Sequence, residues 1–374
     1  MIDWDGPSTE VLLNPRLPPA DAERVRRLIA RIPLEGHVWV TTSGSTGRLK
    51  PVAIAKRAVL ASAHAVNAHL RSDAHDVWLN VLPTFHVGGL GILARAHLSG
   101  AAVVTVERWD PKVFDSRPTA DGQRQAANVT LTSLVPTQVV DLVRAGVRPP
   151  ASLRAAVVGG GPLAPDLYDQ GRALGWPLLP SYGATECASQ IATAELTSLD
   201  GHVFPPLTLL PHVTARTDAE GRIEVRSDAL FTGYATEAGL ENPKVDGWWR
   251  TDDLGTVSGR TLVVHGRAGD TVKVGGELVN LAALETRLAD ILAAIAPGTD
   301  AALIAVPDDR LGRVVGLAVA TTDADVVARV QQAFNAAVLP FERARVTFAV
   351  PGIPRSPLGK VRRDALRGEM RTAG

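Results

Sequence analysis

The sequence predicts an α/β protein. It has a large N-terminal domain of mixed sheets with packed helices plus a β-rich subdomain, then a small α+β C-terminal domain. Three observations carry this prediction. Between residues 77 and 174, short apolar runs alternate with helix-patterned segments. After about Pro205, short strands and turn residues take over. Beyond Asp270, strand-like and helix-patterned segments mix again over about 100 residues. At 374 residues the chain exceeds the usual size of one hydrophobic core.

The elements follow in order. Residues 21–32 place Val25, Leu28, Ile29 and Ile32 at helical spacing behind Asp21, a cap candidate. The apolar strand 37–40 comes next, then a hydroxyl-rich loop, then an alanine-rich helix over 56–70. Strands are expected at 77–82, 101–106, 128–131 and 153–158, and helices at 90–98, 137–145 and 165–174. The β-rich part contributes strands 222–226 and 261–264. The last unit has strands 302–306 and 315–320 with helices 281–292 and 325–338. The tight turn 265–270, with Gly266 and Gly269 flanking Arg267, marks the boundary between domains 1–266 and 267–374.

Bulk composition excludes several function classes. Lysine plus arginine equals aspartate plus glutamate, 39 each, so no global field recruits nucleic acid or an acidic membrane. The N-terminus lacks a basic stretch followed by an apolar core, the mark of a secretory signal. No apolar run approaches the ~20 residues of a membrane span. Cys187 is the only cysteine, which excludes intrachain disulfides and cysteine-based zinc sites. A cytoplasmic location is expected.

The first chemical motif is residues 41–50. Gly44 and Gly47 let backbone N–H groups approach a polyphosphate, while Thr42, Ser43, Ser45 and Thr46 add short donors and Lys50 the counter-charge. It is not a Walker A loop, because Lys50 runs into Pro51 and strand-like residues 52–54 rather than a helix. A polar surface turn is its plain alternative. In residues 181–186, Tyr182 is suited to stack on a purine, Thr185 to bond a phosphate and Glu186 to ligate Mg²⁺. Read alone, this is equally a strand-end turn with an exposed glutamate. Asp253, in residues 247–255, is suited to accept bonds from ribose hydroxyls, or to sit in a turn beside two core tryptophans. Arg267 offers a planar fork for ribose or phosphate oxygens, with a domain-interface salt bridge as the competing role. The turn Gly159, Gly160, Gly161 lets backbone lie against a flat base, or simply joins a strand to a helix. Lys360, in residues 354–363, is a cation on a glycine-hinged loop, within what is otherwise a basic surface turn.

Together and in this order, the motifs resemble the adenylate-forming superfamily of acyl-CoA ligases, luciferases and peptide-synthetase adenylation domains, over residues 38–366. Residues 82–91, 133–138 and 185–190 are most similar to its o-succinylbenzoate–CoA ligase family of menaquinone biosynthesis, in a short form. The resemblance implies a two-step reaction. ATP and a carboxylate give an acyl-adenylate and pyrophosphate, then CoA displaces AMP. It implies ATP, Mg²⁺ and the co-substrate CoA. Lys360, Glu186 and Thr185 would be catalytic, with Glu186 on the metal. Thr42, Ser43, Gly44, Ser45, Thr46, Gly47 and Lys50 would hold phosphates, and Ser181, Tyr182, Gly183, Ala184 and Gly159–Gly161 the adenine side, with Asp253 and Arg267 on the ribose. The small domain would be mobile about a hinge near 267–270, withdrawing Lys360 and presenting Lys273, Gly275 and Gly276 for the CoA step.

His86, Arg95 and Ser189 are the acid-binding candidates. The ring carboxylate of o-succinylbenzoate needs a buried partner. Arg95, in an otherwise apolar helix, is suited to this, or else snorkels to the surface. His86 shapes the pocket rather than acting as a base, since a carboxylate needs no deprotonation. The chain departs from the family in three places. Only about 40 residues precede the hydroxyl loop, Asp252 stands where glycine is common, and Gly269 stands at the hinge. Another acyl or aryl acid–CoA ligase, an enzyme loading a carrier protein, and a non-catalytic nucleotide binder are the rival readings. A homodimer stays open as an assembly.

Overall fold

The structure, a computed structural model, describes residues 2–43, 49–114, 128–268, 270–274, 277–308, 310–355, 361–363 and 365–366. The chain divides into two compact units: Met1–Thr251 with Thr256–Val263, and Asp252–Gly255 with Val264–Gly374.

The first unit is built on a parallel core. Strands Ala102–Thr105, Val77–Asn80, Leu131–Leu134, Ala155–Val158 and Leu178–Ala184 lie side by side in that order, all parallel. Ser189–Thr193 then pairs antiparallel with the second half of Leu178–Ala184, and Leu207–Leu209 follows it. The inner strands Val77–Asn80, Leu131–Leu134 and Ala155–Val158 are buried on both faces, which explains their short apolar runs, while the edge strand Ala102–Thr105 is partly exposed. Successive residues feed opposite cores, as the two-residue pleat requires. Leu79, Leu134, Ala156, Val158 and Leu178 join one cluster, with Val139, Leu142 and Tyr168 from helices Pro136–Arg144 and Pro165–Ala173. Trp78, Leu131, Ala155, Val157 and Leu179 join the other, with Val66, Leu70, Ile92 and Ala96 from helices Lys56–Leu70 and Val87–Ser99. A second sheet of five strands includes His37–Ser43, Leu49–Ala55 and Gly233–Thr236, with Trp39 and Ala53 packed on helix Pro19–Ala30.

The second unit has its own core. Ala301–Asp308 pairs antiparallel with Gly312–Ala320, which pairs parallel with Ala344–Val350. Helices Leu281–Ile295 and Ala324–Ala337 cover this sheet through Leu284, Leu288, Val330 and Phe334. A two-stranded ribbon, Thr271–Val274 with Glu277–Asn280, precedes them.

The expected α/β class and the small α+β C-terminal unit are both present. Helix Lys56–Leu70 spans the expected residues. Three details differ. The strand expected at 128–131 lies at Leu131–Leu134, where it can pair with both neighbours. The first helix starts at Pro19, so Asp21 sits in its first turn and is not its cap. The strand entering the hydroxyl loop extends to Ser43 through its pairing with Leu49–Ala55. Among the described residues no helix is long and apolar enough to cross a membrane.

Candidate active site

Four candidate segments leave the carboxyl ends of neighbouring parallel strands, the edge where open α/β sheets bind ligands. Asn80 leads to residues 81–86, Leu134 to Val135 and Pro136, Val158 to Gly159–Gly161, and Pro180 into Ser181–Ala184. The Gly159 amide donates to the Leu134 carbonyl at 3.1 Å. A Cβ on Gly159 would lie 3.5 Å from the Ser181 carbonyl oxygen, and one on Gly161 3.7 Å from Pro136. The glycine turn therefore lies flat between two neighbouring strand ends, as a face for a planar group requires.

The segment holding Tyr182 is strand and not a free turn. Tyr182 pairs with Ala192, and the Ser181 hydroxyl lies 2.8 Å from that of Thr193. At Gly183 the opposite strand comes so close that a Cβ would sit 2.0 Å from the Ser189 carbonyl oxygen, so only glycine fits. Ala184 ends the strand. Thr185–Cys187 then form a 3₁₀ turn, and Ala188 and Ser189 take positive φ of 51° and 143°. Glu186 lies on the 3₁₀ turn, beyond the strand end. Its carbonyl accepts the Phe231 amide at 2.8 Å, and its Oε1 accepts the Tyr234 hydroxyl at 2.9 Å. Cys187 beside it is buried, and burial raises its thiol to about 12, so it stays protonated and unreactive.

The hydroxyl loop is flanked by a hairpin in which Thr42 pairs with Lys50 and Ser43 with Leu49. Gly44, Ser45, Thr46 and Gly47 lie outside the described residues. Lys50 is exposed, with Nζ 5.3 Å from the centroid of the Tyr234 ring. Tyr234 reaches both Lys50 and Glu186 because its strand, Gly233–Thr236, pairs with Leu49–Ala55, Tyr234 opposite Val52. Nothing in the local pattern around Tyr234 announces this, so sequence reasoning missed it.

Arg95 is the outstanding charged group of the first unit. It is 1 % exposed, which rules out the snorkelling alternative. Its guanidinium lies 5.2 Å over the Trp78 ring, and Nη1 is 3.4 Å from the Ser133 hydroxyl, at the limit of a hydrogen bond. Its Nε is buried with no acceptor, and among the described residues no carboxylate pairs with it. Burial lowers its pKa to about 10, so it remains a cation at neutral pH. A Cβ on Gly91 would lie 3.0 Å from Arg95 Nη2 and 3.7 Å from Ser189 Cβ, so Arg95 and Ser189 border one spot. His86 precedes the first turn of the same helix, its ring 4.7 Å from that of Phe85. Burial lowers the His86 pKa, so its ring is neutral at pH 7.

In the second unit Arg267 Nε lies 3.3 Å from Asp253 Oδ1, so the two expected ribose ligands sit together as an ion pair. The neighbouring Asp252 carbonyl accepts the Ala268 amide at 2.8 Å. Lys273 lies on the ribbon opposite Leu278. Gly275, Gly276 and Lys360 lie outside the described residues. Among the described residues no three metal-ligating side chains cluster. A lone carboxylate such as Glu186 fits Mg²⁺, which takes few protein ligands when nucleotide phosphates supply the rest.

A carboxylate on a 3₁₀ turn and a flat glycine turn at the carboxyl edge of a parallel sheet fit the class of nucleotide-activating enzymes. Residues 36–235 match the family model described as AMP-binding enzyme, and the chain belongs to that family. A probable 2-succinylbenzoate–CoA ligase of Mycobacterium tuberculosis is 31% identical over 340 residues, covering 87% of this chain and 82% of that one. A 2-succinylbenzoate–CoA ligase of Enterococcus faecalis is 27% identical, covering 89% of this chain and 69% of its own length. This chain spans 54% of the Bacillus cytotoxicus ligase of the same name, at 34% identity. The structure of the Bacillus subtilis o-succinylbenzoate CoA synthetase with its acyl-adenylate intermediate superposes with a TM-score of 0.68 at 26% identity, over 88% of this chain and 68% of that one.

Proposed function

We propose that this protein is an ATP-dependent acid–CoA ligase whose acid is 2-succinylbenzoate. The succinyl carboxylate attacks the α-phosphorus of ATP and pyrophosphate leaves. The CoA thiolate then attacks the acyl carbonyl and AMP leaves. The difficulty of the first step is the approach of two anions, and the chain's cations and backbone donors offset it.

The carrying observation is Arg95, a buried cation with no carboxylate partner among the described residues. An uncompensated buried charge is costly, and an anionic ligand group relieves that cost. 2-Succinylbenzoate brings two carboxylates: one reacts, and the other, on the ring, is the counter-ion Arg95 lacks. Ser189 and neutral His86 shape the pocket around the acid. Tyr182 and Gly159–Gly161 are suited to enclose adenine. Lys50 and the hydroxyl loop would hold the phosphates. Glu186 would hold Mg²⁺, which supplies charge neutralisation to the departing pyrophosphate. Asp253 and Arg267 serve the ribose, Lys360 the adenylation step and Lys273, with Gly275 and Gly276, the CoA step. ATP and CoA as substrates fit a cytoplasmic enzyme.

Pyrophosphate release against a panel of aromatic and aliphatic acids, with and without CoA, tests the assignment. Release should require 2-succinylbenzoate, and CoA alone should accept the acyl group with no carrier protein. Lys360→Ala should slow adenylate formation by about 100-fold or more while leaving thioester formation from preformed acyl-adenylate nearly intact. Equal loss of both half-reactions overturns the role given to Lys360.

A further inference from the structure

The contacts around Glu186 assign a role to a residue outside the motifs. Lys50 and Glu186 both approach Tyr234, one over its ring and one at its hydroxyl. A lysine and a glutamate this near to a common neighbour would ordinarily collapse into an ion pair. Such a pair would neutralise the cation meant for phosphate and occupy the carboxylate meant for the metal. Here Lys50 makes no ion pair with a described residue, and each of the two groups contacts Tyr234 instead, the ammonium 5.3 Å from the ring centroid and the carboxylate 2.9 Å from the hydroxyl.

From this geometry we infer that Tyr234 is a positioning residue for nucleotide and metal binding: it keeps Lys50 and Glu186 apart and orients the Glu186 carboxylate. The inference rests on the ligase reading above. The hydroxyl donates to Oε1 and so fixes the plane in which the carboxylate lies. The ring face holds the ammonium by its quadrupole, an attraction weaker than an ion pair and readily exchanged for phosphate.

The position of Tyr234 is itself secured. Gly233, the residue before it, has no room for a side chain: a Cβ would meet the Glu241 carbonyl oxygen at 2.5 Å. The Lys244 ammonium holds the carbonyls of Phe231 and Thr232, at 2.5 and 3.1 Å. The Phe231 amide in turn holds the Glu186 carbonyl at 2.8 Å. The Phe231 ring lies 4.7 Å from that of Tyr234. Backbone and side chain of Glu186 are thus both fixed by one short segment, 231–234.

The test uses the full chain and equilibrium binding of ATP, titrated with Mg²⁺, together with turnover. Tyr234→Phe keeps the ring and removes only the hydroxyl. It should raise the Mg²⁺ concentration for half-maximal ATP binding by about tenfold, as expected when a carboxylate loses a charge-assisted bond. Metal-free ATP binding and the melting temperature should stay within error of wild type. Tyr234→Ala should show the larger shift and also weaken metal-free ATP binding, because Lys50 is then free to pair with Glu186. Adding Lys50→Met to Tyr234→Ala should return the Mg²⁺ dependence toward that of Tyr234→Phe. An unchanged Mg²⁺ titration in Tyr234→Phe, with wild-type ATP binding intact, overturns the inference and leaves the ligase reading standing. Failure of wild type to bind ATP at all overturns the ligase reading instead.

Discussion

Among the described residues each of the two units buries one arginine, and the two are treated in opposite ways. Arg363 in the second unit is 7 % exposed and has two carboxylates beside it, although its Nη2 makes an ion pair without hydrogen-bond geometry. Its Nη1 donates to Asp270, its Nε to the Leu303 carbonyl at 3.0 Å, and its Nη2 lies 2.8 Å from Glu285 Oε2. Glu285 in turn accepts the Leu303 amide at 2.9 Å. Burial raises the Glu285 pKa, and Arg363 acts against that rise. Arg95 in the first unit is just as buried, yet has an aromatic face, one long contact to a hydroxyl and an Nε with nothing. A buried charge matched within the chain ties elements together. A buried charge left unmatched is costly, and an anionic ligand would relieve that cost. On the function proposed above, the comparison separates a structural arginine from a ligand-binding one by their partners, since both are buried.

Removing the matched arginine should have the largest effect. Arg363→Met leaves two carboxylates in the second unit without their cation, a loss of about 3–5 kcal/mol for breaking a buried pair. Hydrogen exchange should accelerate in helix Leu281–Ile295 and strand Ala301–Asp308, with the parallel core of the first unit unchanged. Adding Glu285→Gln should recover part of the loss, because one orphaned carboxylate is gone. Unchanged exchange in Arg363→Met would break the comparison from the structural side.

Arg95→Met should behave in the reverse sense. Replacing an uncompensated buried charge by an apolar chain of similar length is neutral or stabilising, by about 1–3 kcal/mol, so the melting temperature should hold or rise. Turnover should suffer. The kcat/KM for 2-succinylbenzoate should fall about 100-fold, the order of a lost charge-assisted contact, and that for the analogue lacking the ring carboxylate should not fall. If stability drops as in Arg363→Met while acid preference persists, Arg95 is structural after all and the proposed substrate loses its main support.

Much of this was legible in the residues, and the failures have physical causes. The alternation of apolar runs and helical spacing over 77–174 reports burial on both sheet faces, and the parallel core follows from it. Helix Lys56–Leu70 was legible because alanine spacing alone defines it. Strand Leu131–Leu134 was misplaced by three residues, because register belongs to the neighbours: Thr132 pairs with Leu79 and Ala156. The Arg95 position was legible as a charge in an apolar helix, but its burial was not. That depends on Trp78 and Ser133 rising from two other strands beneath it. Tyr234 was invisible for the same reason, since its partners come from strands far away in sequence.

A third arginine tests the middle of the range, and here the effect should be smallest. Arg154 has a side chain 34% exposed and an internal partner: its Nε and Nη2 reach Asp76 Oδ1 and Oδ2 at 3.0 and 2.6 Å. Burial raises the Asp76 carboxyl, but the bonds from Arg154, from the Thr130 hydroxyl and from the Asp73 amide outweigh it, so the pKa falls below 3.8. A carboxyl held lower in the folded state than in the unfolded one stabilises the fold above its unfolded pKa. That contribution fades as pH falls through the folded value. Arg154→Met should therefore cost about 1.5 kcal/mol at neutral pH, the low end of the range for a hydrogen bond to a charged group, because the pair is partly exposed. The deficit relative to wild type should shrink below pH 4, as Asp76 takes up its proton in both proteins. Urea unfolding of the two proteins from pH 7 down to 3 measures the convergence. Parallel stability curves over that interval would mean that Arg154 contributes packing alone, and that a partner within the chain does not by itself make an arginine's charge structural.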